Sequence, residues 1–104
     1  MTSFDNREAA FENRFAHDAE TQFRIAARRN RLLGDWAAVK LGLSGDEAAA
    51  YAKSIVATDL EEAGYEIVIR KLTADLAPAG IDEVTIRAQL AEQAETARQQ
   101  IESE

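Results

Sequence analysis

From Met1 to Leu33 the chain contains neither glycine nor proline, and Gly34 is the first residue that tolerates a break. A stretch that long without a breaker admits one extended helix or a helix with a single bend, and little else. The rest of the 104 residues is punctuated sparingly, by Gly42, Gly45, Gly64, Gly80 and the single proline, Pro78. Between these marks alanine, glutamate, arginine and leucine dominate, all good helix formers. No segment alternates with period two, so strands are not expected.

Thr2 or Ser3 caps the first helix, with Asp5 in its first turn, and the pattern runs to about Leu41, with room for a hinge near Ala16–Ala19. Gly42 is the stop. Ser44-Gly45-Asp46-Glu47 reads as a capping box opening a second helix, whose apolar stripe is Ala48, Ala52, Ile55, Val56 and Leu60. Gly64 closes it. A short third helix, about Tyr65 to Ala77, carries Val68, Ile69, Leu72 and Leu76 at helical spacing, and Pro78-Ala79-Gly80 ends it. Asp82 caps a fourth, with Ile86, Leu90, Ala94, Ala97 and Ile101 on one face. Short connections make neighbouring helices antiparallel, so the fold class is all-α, a small four-helix bundle. Trp36 is most simply a core residue. The five glycines sit singly, at helix ends.

Composition narrows the function. A net charge of −7 argues against nucleic-acid binding, which needs a positive surplus. With no cysteine and one histidine, His17, neither a disulfide framework nor a zinc site of cysteines or several histidines can be built. No apolar run reaches the length of a membrane span, and the N-terminus lacks the apolar centre of a signal peptide, so direct membrane insertion is not expected and a cytoplasmic setting is. There is no Gly-rich phosphate loop. A catalytic triad would have to use His17 in an exposed segment, without a dry pocket. Asp59, Glu61, Glu62 and Glu66 are acids that could hold a cation, but a solvated helix end is the plainer reading. The chain reads as a non-enzyme with no cofactor and no metal.

Two charged regions deserve separate treatment. In RIAARRNR, Arg24, Arg28 and Arg31 share a helix face while Arg29 points elsewhere. They suit either an anion such as a nucleotide phosphate or ion pairs with nearby acids, Glu20 with Arg24 being an obvious i,i+4 pair; the ion pairs are the plainer reading. At the N-terminus, FDNREAAFENRFAHD holds three of the four phenylalanines. On a helix Phe4, Phe11 and Phe15 form a seam flanked by Arg7 and Arg14 on one side and by Asp5, Glu8 and Glu12 on the other. Asp18 lies on the arginine side. Such a seam fits a groove in one orientation and register, as a docking helix must. An isolated helix of this length is marginal in water, so the segment is expected to be mobile or nascent-helical until bound. The competing reading folds the seam back into the bundle as core.

The motifs FDNREAAFENRFAHDAE, ARRNRLLGDWAA and LGLSGDEAAAYAKSIVATDLEEAG resemble the zeta subunit family of alphaproteobacterial F-type ATP synthases. The resemblance is strongest from Phe4 to Gly64 and loosest in the last helix. It implies a four-helix inhibitor of ATP hydrolysis whose residues 1–18 form the inhibitory segment and residues 19–104 the carrier. That segment is implied to enter an interface between α and β subunits near the rotating γ subunit, blocking hydrolytic rotation while permitting synthesis. Phe4, Asp5, Arg7, Glu8, Phe11, Glu12, Phe15, Ala16, His17 and Asp18 match the family's opening motif, and Arg14 lines the same seam. The resemblance also implies weak adenine-nucleotide binding in the free state, on residues it does not place, and a location peripheral to the inner membrane through the synthase. A small nucleotide-binding regulatory module on the arginine face is the alternative. His17 is a candidate for pH-tuned inhibition, with a solvated bystander as the plainer reading. One departure stands out. The family often carries Gly-Asp-Glu-Asp before the third helix, and this chain reads Gly64-Tyr65-Glu66-Ile67.

Overall fold

The computed structural model describes the backbone of residues 2–104 and the side chains of residues 18–104. Four α-helices follow one another: α1 (Thr2–Lys40), α2 (Gly45–Asp59), α3 (Glu66–Leu76) and α4 (Glu83–Glu102), with a 3₁₀ turn at Ala77–Ala79 before α4. No strand occurs among the described residues. The predicted class, order and lengths hold.

α1 runs as one helix through Ala16–Ala19, where the sequence allows a hinge. It ends as Gly42 predicts. Gly42 takes φ +76° and donates to Val39 O at 3.0 Å, while Leu43 N–H donates to Ala38 O at 2.9 Å. These two bonds are a Schellman motif, which needs a left-handed residue where only glycine is unstrained.

α1 is the spine against which α2 and α4 pack, both antiparallel to it, with α3 closing the far end between α2 and α4. The core gathers Leu33 and Ala37 from α1, Ile55 from α2, Val68, Ile69, Leu72 and Leu76 from α3, and Ile86 and Leu90 from α4. The four α3 positions are all buried, so this short helix contributes one whole stripe; side chains of this size are each worth about 1.5–3 kcal/mol on burial. Ala97 and Ile101 carry the α4 stripe to its end. Trp36 is half-buried against this core.

Three expectations need correction. Gly34 does not sit at a helix end: it lies inside α1, buried, where the helix crosses α2. Ser44 has the extended backbone of an N-cap (φ −149°, ψ 164°) but makes no side-chain capping bond. Gly45, at φ +59°, turns the first peptide of α2 out of the geometry a capping box requires. By contrast the Asp82 cap forms, its Oδ1 accepting from Thr85 N–H at 2.9 Å. Leu60, placed on the buried stripe of α2, is 66% exposed, because α2 stops at Asp59 and the chain turns away.

Candidate functional site

The sequence places the site on the N-terminal segment. Phe4, Asp5, Arg7, Glu8, Phe11, Glu12, Arg14, Phe15, Ala16 and His17 lie outside the residues whose side chains are described. Asp18 is described and exposed, as are Ala19 and Glu20. Among the described residues, those that line clefts shared with α2 or α4 begin at Gln22 and Phe23.

From Phe23 onward α1 presents the arginine face. Arg24 does not pair with Glu20. Its guanidinium reaches across to α4 and meets Glu104 at 2.8 Å, and Arg28, one turn on, takes the other oxygen of the same carboxylate at 2.9 Å and Gln100 at 2.8 Å. The hydrogen bond from Arg28 in particular holds the Glu104 carboxyl below the usual carboxylate range. Arg31 pairs within its own helix, with Asp35 at 3.5 Å. Ion pairing, the plainer reading, therefore accounts for all three arginines, though through a tertiary partner for two of them.

Arg29 does point elsewhere, as the wheel requires. It lies 3.6 Å from Asp59, donates through Nε to Asn30 Oδ1 at 2.9 Å, and stands 5.9 Å over the Tyr65 ring. Burial pulls its pKa down against the opposing attraction of Asp59. Tyr65, the departure from the family's turn, thus supplies an aromatic face to a half-buried cation. The neighbouring acids do not converge. Asp59 faces Arg29, Glu62 faces Arg70 at 2.8 Å and Glu66 faces Arg87 at 2.7 Å, and the described residues contain no cluster of three metal-ligating groups.

Between α1, α2 and the end of α4 lies an open groove of about 610 Å³. Its floor is apolar and includes Ile101; Phe23 and Leu60 stand at its margin, 62% and 66% exposed. Arg24, Arg28, Arg31 and Lys53 ring it, and no acid lines it among the described residues. A cleft of about 100 Å³ shares Phe23 and Leu60 with the groove and ends on Asn30. Asn30 is the one buried polar residue among the described residues, and its Nδ2 has no hydrogen-bond partner.

The sequence profile of the ATPase inhibitor subunit zeta family matches residues 1–100. The chain belongs to that family. A protein solved by solution NMR is similar to it at 45% identity, over 79% of this chain and 95% of that one, with a TM-score of 0.72. Comparison with curated proteins gives no match. Membership in the zeta family makes this an ATPase inhibitor subunit, a regulatory role exercised on the ATP synthase. No helix among the described residues is long and apolar enough to cross a membrane. The groove was not legible in the zeta motifs: Phe23 stands apart from the N-terminal aromatic seam, Leu60 looks like core, and Asn30 gives no sign of burial within a basic run. Only the antiparallel crossing of α1 with α2 brings them together.

Proposed function

We propose that residues 1–18 are the inhibitory element and residues 19–104 the carrier, and that the leading turns of α1 wedge into an α/β catalytic interface of the synthase head beside the γ subunit. The observation that supports this most is the exposure of the described residues that adjoin the segment. Among the described side chains of α1, Asp18, Ala19 and Glu20 are all exposed, and the clefts shared with the other helices are lined from Gln22 and Phe23 onward. A segment that continues an already folded helix avoids the cost of nucleation, and an amphipathic helix offers a face to another protein. The seam of Phe4, Phe11 and Phe15, edged by Arg7 and Arg14 and by Asp5, Glu8 and Glu12, supplies the anchors, aromatic and arginine side chains being those that dominate interface energies. Inhibition then comes from binding energy that opposes rotation in the hydrolytic direction. The protein would sit on the cytoplasmic side, peripheral to the inner membrane through the complex.

The alternative, a nucleotide-sensing module on Arg24, Arg28 and Arg31, would compete with Glu104 and Asp35 for the same exposed ion pairs. Phe11→Ala combined with Phe15→Ala separates the two readings. Inhibition of ATP hydrolysis should vanish while the circular-dichroism melt stays almost unchanged. A large loss of stability would assign the seam to the core instead.

A further inference from the structure

We propose that the groove between α1, α2 and the end of α4 is a second docking surface, which takes a carboxylate-bearing apolar segment of the synthase head, whose carboxylate displaces Glu104 from two of the arginines that line it. This rests on the reading that the chain docks on the head.

The charge pattern comes first. In a chain of net charge −7, Arg24, Arg28, Arg31 and Lys53 line one groove, and the acids that pair with the three arginines, Glu104 and Asp35, stand outside its lining. Such a concentration favours an acidic partner and speeds its approach.

The seat itself is shaped for a carboxylate. Arg24 and Arg28, one helical turn apart, each take one oxygen of Glu104, at 2.8 and 2.9 Å. Three residues before Glu104, Ile101 enters the apolar floor. The chain's own pattern at the groove is thus a carboxylate on the two arginines with an aliphatic side chain three residues earlier in the floor, and the incoming segment needs that same pattern. The resident pair is half-exposed, 49% on Arg24 and 44% on Glu104, and ion pairs so placed are weak enough to exchange.

Two features of the groove remain unsatisfied. Phe23 and Leu60 keep most of their surface in water, and Asn30 Nδ2 is a buried donor without an acceptor at the end of the adjoining cleft. A partner segment would cover the first two and could bring a carbonyl or carboxylate oxygen to the third. The position helps as well. Phe23 follows Asp18 by five residues, about 7.5 Å along a helix, so one partner could hold the inhibitory segment and the groove together, each contact raising the effective concentration for the other.

The test measures affinity of the full chain for isolated synthase head, at low and high salt, alongside ADP and ATP binding. Leu60→Asp, and Arg24→Ala with Arg28→Ala, should each weaken head binding about tenfold, and the arginine pair should also flatten the salt dependence. Glu104→Gln should bind several-fold tighter because the seat is vacated. Val84→Asp, at an exposed site near the opposite end of α4, is the control and should bind as wild type. Circular dichroism of each variant checks folding, and Leu60, being exposed, can be changed without opening the core. Wild-type affinity in both groove variants, or no gain with Glu104→Gln, overturns the proposal. So does loss of nucleotide binding with head affinity intact, which would make the groove a small-anion site. If head binding depends on the groove while Phe11→Ala with Phe15→Ala still inhibits, the inhibitory-segment reading fails and the groove stands.

Discussion

Gly34 on α1 and Ala52 on α2 mark a backbone-to-backbone crossing: a Cβ on Gly34 would lie 2.7 Å from Ala52 Cα. The contact ties the two helices that frame the groove. Gly34→Ala gains about 1 kcal/mol of helix propensity, but the added methyl meets main chain, which cannot swing aside. We expect a net loss of about 1–2 kcal/mol, in the range of overpacked cores, read as a lower urea midpoint with unchanged slope. A more stable variant would mean the helices separate at little cost.

Ile55 is fully buried and forms the α2 side of the core. Ile55→Ala should cost about 2–5 kcal/mol, a large share of the stability of a domain this size. Chemical denaturation measures it.

Tyr51 donates to Asp75 Oδ2 at 2.7 Å from a half-buried site. Burial, and then the bond to Asp75, push its pKa above the ordinary value of 10.0. A raised phenol pKa stabilises the fold fully below the unfolded value, and that stabilisation is lost as pH climbs past it toward the folded one. Stability should therefore decline above about pH 10, and less steeply in Tyr51→Phe. Ultraviolet titration of the phenolate should show one tyrosine, Tyr51, titrating late.

At the acid end the sign reverses. Hydrogen bonding from Thr85 N–H holds the Asp82 carboxyl below its usual range, so its contribution is present at neutral pH and fades as pH falls through the depressed value. Asp82→Ala should melt earlier than wild type at neutral pH, and the gap should close in acid. A gap independent of pH would remove the charged cap from the explanation.

How far the sequence carries depends on whether a signal is local. Val68, Ile69, Leu72 and Leu76 repeat at helical spacing and all are buried, because α3 is short and presents one face to one core. The Asp82 cap and the Gly42 stop are equally local, and both form. Signals that depend on a partner far along the chain mislead. Arg24 has an acid four residues away in Glu20 but finds Glu104 eighty residues on, since α4 returns antiparallel beside it. Leu60 continues a perfect stripe, yet α2 ends one residue too early to bury it. Gly34 looks like a terminus and is instead a contact point, as only the crossing with Ala52 reveals. The phenylalanine seam, where the sequence is richest, lies outside the described side chains and is left to experiment.

That experiment is an ATP-hydrolysis assay on isolated synthase head, titrated with the full chain and with a chain beginning at Ala19. The full chain should inhibit and the shortened one should be silent, while both melt at nearly the same temperature. Equal inhibition by the shortened chain would contradict the account, since the brake would then reside in the carrier.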